Sequence, residues 1–180
     1  MANYVYIATS LDGFIATSDG GLAWLDESPN PEKTDYGYSE FIDSIDAIVM
    51  GRNTFEKVLS FDVWPYTKPV FVLSNSLKNL PTSMLDKAEI VRGEINKITN
   101  QLNQRGYENL YIDGGRVIQG FLQEDLIDEM IIARIPILLG EGVSLFGKLN
   151  RPLKFEHKKT KIYNDTQVKS HYTRTRNFNL

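Results

Sequence analysis

Ala47-Ile48-Val49-Met50-Gly51-Arg52-Asn53-Thr54-Phe55 is the stretch on which the fold turns. Its first four residues are apolar without alternation, the pattern of a strand covered on both faces, and the run stops at a glycine followed by polar residues that lead into a helix. A strand that enters a helix in this way leaves unpaired backbone N–H groups at its carboxyl end. The arrangement recurs twice. Val72 and Leu73 lead into Ser74 and Asn75, while Tyr111 and Ile112 lead into Asp113, Gly114, Gly115 and Arg116. In an open α/β sheet ligands bind outside the carboxyl ends of the strands. Glycine lets an anion approach the backbone there, and Arg52 and Arg116 add planar charged donors suited to phosphate oxygens. Together the three turns describe a cradle for the phosphates of a dinucleotide, although neither the nucleotide-triphosphatase phosphate loop nor the GxGxxG fingerprint is present.

The flanking sequence repeats the alternation of strand and helix. Residues 4–9, 47–50, 70–73, 110–112 and 130–135 are β-branched or aromatic and read as buried strands. Helical spacing falls between them at 38–45, 54–59, 95–103 and 117–123. The order predicts an α/β fold of layered type, with a mostly parallel sheet and helices on both sides. The tail changes character: 155–163 and 168–175 read as two strands about Asn164 and Asp165, an antiparallel hairpin closing the sheet. Residues 1–180 contain no repeat and no linker, so one domain is expected, with residues 26–36, including Pro29 and Pro31, as its longest loop.

Composition narrows the function. No apolar run reaches the roughly 18 residues of a membrane span, and the amino terminus lacks the pattern of a signal peptide, so a cytoplasmic setting is expected. Cysteine is absent, which excludes disulfides and thiolate chemistry. The two histidines, His157 and His171, lie in a strand-like charged stretch without zinc-ligand spacing, so no metal is expected. A net charge of −3 offers no general attraction to nucleic acid.

Ser10-Leu11-Asp12-Gly13-Phe14-Ile15-Ala16, then Trp24, then Met50 to Phe55, Leu73 and Ser74, and Ile112 to Gly115 resemble the dihydrofolate reductase superfamily in order and approximate spacing. The resemblance covers most of the chain and implies a dihydrofolate reductase-like fold that binds NADPH across the carboxyl ends of the strands. It places Gly51, Arg52, Asn53 and Thr54 at the cofactor phosphates, and Ser74 and Asn75 by the adenosine ribose and its 2′-phosphate, with Lys78 a further cation nearby. Gly114, Gly115, Arg116, Val117 and Ile118 would hold the pyrophosphate, and Ala8 and Ile15 would border the nicotinamide. Hydride chemistry would then belong to the cofactor, leaving the protein to orient and shield it.

Two branches of the superfamily compete. A true dihydrofolate reductase carries a buried acid on the first helix, but that position here is Gly37, and Asp35 and Glu40 fall on other faces. The threonine that partners the acid is replaced by Ala133. Pro136-Ile137-Leu138-Leu139-Gly140-Glu141-Gly142 and the Ser-Leu-Asp-Gly opening resemble instead the pyrimidine reductases of riboflavin biosynthesis. That branch implies a homodimer joined through 132–139 and the carboxyl-terminal hairpin. Without cysteine the zinc deaminase often fused to such reductases is impossible, so a stand-alone reductase is expected. Trp24, Tyr36, Tyr38 and Phe41 suit stacking on a flat heterocyclic substrate, whereas the loop offers only Lys33 for a substrate phosphate. Asp12 is the candidate for orienting substrate or water near the nicotinamide, with a turn-capping role as its structural alternative. Two further readings stand beside this one: a dihydrofolate reductase with Asp35 as a displaced acid, and a nucleotide-binding or sensor domain without turnover.

Overall fold

The computed structural model describes residues 1–26 and 30–176, so Pro29 of the long loop lies outside the described residues. Strands β1 (Ala2–Thr9), β3 (Ala47–Gly51), β4 (Val70–Leu73), β5 (Ala88–Val91), β6 (Asn109–Asp113) and β7 (Glu129–Arg134) join β9 (Phe155–Tyr163) and β10 (Gln167–Arg174) in one sheet of eight. Its order is β5-β4-β3-β6-β1-β7-β10-β9, parallel from β5 to β7 and antiparallel in the last two pairings. A two-stranded ribbon of β2 (Phe14–Ala16) and β8 (Val143–Ser144) stands outside it. The expected α/β class is the observed one.

Strand alternation divides the core into two layers. Ala47, Val49, Leu110 and Ile112 face a layer closed by α3 (Ile95–Gln104) and α4 (Gly115–Gln123). Ile48, Met50 and Tyr111 face the other side, against Phe41 of α1 (Tyr38–Asp43) and Phe55 of α2 (Arg52–Leu59). The predicted strands and helices all form. The differences lie at their ends and among short segments.

Helix α2 begins at Arg52 rather than residue 54, because Gly51 is both the last strand residue and the helix cap, so Arg52 and Asn53 stand in the first helical turn. Helix α4 likewise begins at Gly115 rather than 117. Strands β2, β5 and β8 were not expected. Two to four residues are too short to show a period, and pairing with distant strands stabilises them. The hairpin turns where Asn164 and Asp165 were expected to turn it: both take left-handed φ, 50° and 53°, and the Thr166 N–H donates to the Tyr163 carbonyl at 3.0 Å.

Candidate active site

The ends of β3 and β6 bring the starts of α2 and α4 together. Gly114 has φ +88°, and a Cβ there would stand 2.2 Å from Thr54 Oγ1. At Gly115 a Cβ would meet Ile15 Cδ1 at 3.1 Å and the Ser144 carbonyl at 3.2 Å, and at Gly51 it would meet Val117 Cγ2 at 3.1 Å. These glycines therefore let the two helix starts pack closely, against Thr54, Val117 and Ile15, and the opening N–H groups of each helix have no intrahelical acceptor. Such a surface fits the phosphates of a dinucleotide, the positive ends of both helices adding to its attraction for anions. Gly51, Arg52, Asn53, Thr54, Gly114, Gly115 and Ile15 thus meet at one place, with Arg116 exposed at its rim.

Beyond β4 the site residues need one redistribution. Ser74 Oγ accepts the N–H groups of Ser76 (3.3 Å) and Leu77 (3.0 Å), so it builds the turn instead of offering a free side chain to a ligand. Asn75 is exposed on that turn. Two guanidinium groups flank it: Arg52 Nη1 donates to Ser76 Oγ at 3.3 Å, and Arg92 Nη2 to the Leu77 carbonyl at 2.5 Å. Lys78 is exposed and makes no ion pair among the described residues. The side chains of Val117 and Ile118 are buried in the core and the Ile118 N–H is spent on the Gly114 carbonyl at 2.9 Å, so Ile118 is corrected, whereas Val117 keeps its place in the opening turn of α4 and could meet an anion only through its backbone N–H.

Next to these helix starts the end of β6 faces Tyr66, Trp64 and Tyr38, aromatic side chains of the segment 60–69 and of α1. Asp113, the last residue of β6, receives the Gly114 N–H at 2.8 Å and the Tyr66 hydroxyl at 3.4 Å. Part of Asp113 remains open to solvent, yet the surrounding tyrosines exclude enough water that burial pushes its carboxyl up to about 6, against the opposing effect of its hydrogen bonds. Burial and the Asp113 charge push Tyr38 up to about 12 and raise Tyr66 and Tyr111 as well, so these phenols remain neutral donors. Trp64 packs edge-on against Phe55 and Tyr66 and keeps a buried, unpartnered Nε1. The sequence reading missed Asp113, Tyr66, Tyr111 and Trp64 as site groups. The signal available was an acid immediately before the glycine pair, on the same strand end as the cradle.

Of the four expected stacking residues, Tyr38 and Phe41 lie together at 6.4 Å between centroids, Tyr36 packs edge-on against Tyr163 of the hairpin at 5.2 Å, and Trp24 stands apart from them. Phe41 is buried against Tyr6 (4.8 Å between centroids) and Tyr111 (5.1 Å), which makes it a wall of the core and not a free stacking face. Trp24 is 5% exposed, its Nε1 lacks a partner, and it makes no ring contact with the other three among the described residues. Tyr38 packs edge-on against Tyr6 at 5.7 Å and is the residue of the set nearest the Asp113 charge.

Gly37, where a folate reductase would carry its acid, faces a cation. A Cβ on Gly37 would stand 3.1 Å from Lys169 Nζ, reaching over from β10. That ammonium, the Tyr6 hydroxyl (2.9 Å) and the Tyr163 hydroxyl (3.2 Å) all donate to the Tyr36 carbonyl, locking Tyr36 at a left-handed φ of 57°. Asp35 caps α1 through the Gly37 and Ser39 N–H groups, at 2.8 and 2.9 Å. Hydrogen bonds from the Ser39 side chain and these backbone groups lower its carboxyl to about 2, so Asp35 is an ionised cap and not a displaced proton donor. Ala133, the ladder neighbour of Ala8 between β1 and β7, stands at the expected threonine position, so with Gly37 at the acid position neither half of the folate proton-handling pair is present.

Asp12 takes the structural alternative. Its carboxylate accepts from the Ser10 hydroxyl (2.5 Å) and from the N–H groups of Leu139 (3.2 Å) and Gly140 (2.7 Å). The Ser10 hydroxyl, followed by those N–H groups, lowers its pKa. It ties the loop after β1 to the segment after β7.

A profile of the RibD C-terminal domain matches residues 4–168. The chain belongs to that family. YwjB, an uncharacterized protein of Bacillus subtilis (strain 168), is 39% identical over 175 residues, spanning 94% of this chain and 96% of YwjB. A Shewanella sp. PV-4 crystal structure, provisionally named for riboflavin biosynthesis, shares 51% identity and superposes with a TM-score of 0.95 over 98% of this chain and 100% of its own. At 16% identity the likeness is one of fold. The deaminase/5-amino-6-(5-phosphoribosylamino)uracil reductase of Thermotoga maritima gives a TM-score of 0.74 over 97% of this chain and 56% of its own. Dihydrofolate reductase of Enterococcus faecalis, complexed with NADP(H), gives 0.68 over 96% of each, also at 16% identity. The RibD C-terminal fold is thus of dihydrofolate reductase type. Among the described residues no helix is long and apolar enough to cross a membrane.

Proposed function

We propose that the protein is an NADPH-dependent reductase of the pyrimidine reductase type, acting on a flat nitrogen heterocycle or its imine or carbonyl form. The observation that carries this reading is the meeting of the starts of α2 and α4 at Gly51, Gly114 and Gly115, with Asp113 bonded to the Gly114 N–H beside them. The Thermotoga maritima protein is named for such a reduction, and the Enterococcus faecalis enzyme of the same fold was solved with NADP(H).

NADPH, when bound, supplies the hydride. The helix starts of α2 and α4 hold its phosphates, and Arg52 and Arg92 beside the Ser76 turn favour a ligand with a 2′-phosphate. Ala8 and Ile15 border the reacting ring. Asp113 holds and releases the proton that accompanies hydride transfer, and Tyr38 and Tyr66 position the heterocycle by hydrogen bonding and ring contact. Lys169 at the former acid position, with Asp35 spent as a cap, disfavours the dihydrofolate reductase reading.

Calorimetric titration with NADPH and, separately, NADH tests the proposal. NADPH is expected to bind in the micromolar range, and Arg52→Ala to weaken it by about tenfold or more, the loss of one charge-assisted contact. Failure of both cofactors to bind would overturn it. Binding without NADPH oxidation across pterins, pyrimidines and small carbonyl compounds would favour the sensor domain instead.

A homodimer forms part of the same reading. Ile162 (62% exposed) and Val168 (40%) are ladder partners on the hairpin, and Leu138 (69%) lies just beyond β7, the two segments expected to meet a second copy.

A further inference from the structure

Between α1 and the carboxyl-terminal hairpin lies a concavity of about 670 Å³, within the range of small-molecule sites. None of Tyr38, Tyr66, Tyr111 or Asp113 lines it. The rings of Tyr6, Tyr38 and Phe41 pack together at its edge. One wall is the inner face of the hairpin, where Lys159, Lys161, Lys169 and His171 form a two-by-two array: Lys161 pairs directly with Lys169 across the ladder, and Lys159 with His171. Lys161 and Lys169 set like charges directly opposite each other on the sheet, which repel and cost stability, and this chain is acidic overall. An array of this kind is stabilised when an anion bridges it.

The carboxylates around the cavity do not fill that role. Asp35 is committed to the cap of α1, and Glu129 is bonded to His171 at 2.5 Å. Glu40 lines the opposite wall, on α1. Lys161 rests over the Tyr163 ring at 4.4 Å, which positions its ammonium without neutralising it, and Lys159 has no ion-pair partner among the described residues. The floor beside the array is apolar and aromatic, with Tyr4, Tyr6 and Ile131, and can take the body of a ligand whose charged end meets the lysines.

We propose that this cavity is a second ligand site, separate from the helix starts at Gly51 and Gly114, for a small molecule bearing a phosphate group held by Lys159, Lys161 and Lys169. Ammonium groups on neighbouring strands, about 5 Å apart at Cβ, can converge on one group with several terminal oxygens. The proposal does not depend on the cofactor reading.

The test is a titration of the full chain with inorganic phosphate at constant, low ionic strength, followed by backbone amide NMR, with acetate as the monoanion control. Amides of 159–161 and 169–171 are expected to shift and saturate with phosphate but not with acetate. The double variant Lys159→Gln/Lys161→Gln should weaken the apparent affinity by about tenfold or more. Arg52→Ala should leave the hairpin shifts in place, so that a failed cradle and a failed second site are told apart. Shifts confined to 51–53 and 114–116, equal responses to acetate, or hairpin shifts that survive the double variant would each overturn the proposal.

Discussion

Burial raises the Asp113 carboxyl to about 6 in the folded protein, against an ordinary 3.8. The native state therefore binds a proton that the unfolded chain releases, and stability falls as pH rises through the window from about 4 to 6. At pH 8 the ionised carboxylate is a standing penalty, on the order of 1–3 kcal/mol after allowance for its partial exposure. Asp113→Asn is expected to be more stable than the parent by that amount at pH 8 and to flatten the pH dependence across the window, as read by urea denaturation. Equal stability at both ends would mean that the carboxyl is well solvated. If Asp113 handles the proton, the same variant should bind NADPH normally yet lose roughly 100-fold or more in turnover. Residue type was legible here and role was not: Asp12 and Asp113 are both acids beside glycine, yet one is tied by three hydrogen bonds at the surface and the other sits among tyrosines.

Element boundaries set the chemistry of the cradle. Because β3 passes into α2 and β6 into α4 without intervening loops, the first helical N–H groups stand at the edge of the sheet. The hairpin is secured at its far end by a different device. Arg174 of β10, its side chain only 4% exposed, meets Asp125 in a two-point pair, Nε at 2.7 Å and Nη2 at 3.0 Å, and Arg151 adds a third contact at 3.0 Å. Although burial of Asp125 works in the opposite direction, hydrogen bonds and charge from Arg174, with Arg176 and Arg151, keep its carboxyl below the ordinary range. Its stabilisation is thus present above an ordinary carboxylate pKa and is lost on acidification below it. Asp125→Ala leaves a buried guanidinium unpaired and should cost about 3–5 kcal/mol in thermal or urea unfolding. A loss under 1 kcal/mol would show that water replaces the carboxylate.

Across the whole molecule, the sheet ends in β9, whose nine residues are all exposed or half-buried. An edge of that length, carrying the exposed Ile162 and paired with the strand of the exposed Val168, is a pairing surface unless another chain covers it. Sedimentation velocity at micromolar protein should therefore report a dimer, and Ile162→Lys should shift it toward monomer with little effect on melting of the protomer. A wild-type monomer would remove the dimer from the proposed function.

The order of strands and helices was readable before any coordinates because it rests on short-range periods: continuous apolar runs at 47–50 and 110–112, helical stripes at 95–103, and two turn residues at 164 and 165. The cradle was readable for the same reason, since a strand, a glycine and a helix start are neighbours along the chain. The groups that gather around Asp113, Asp12 and the Tyr36 carbonyl arrive from far away. Lys169 reaches a carbonyl 133 positions earlier, Asp12 holds Gly140 across 128, and Tyr66 meets Asp113 across 47. These meetings follow from β1 lying between β6 and β7 with the hairpin folded back alongside. No local period encodes that arrangement, because it is set by which buried faces pack best against one another once every element has formed.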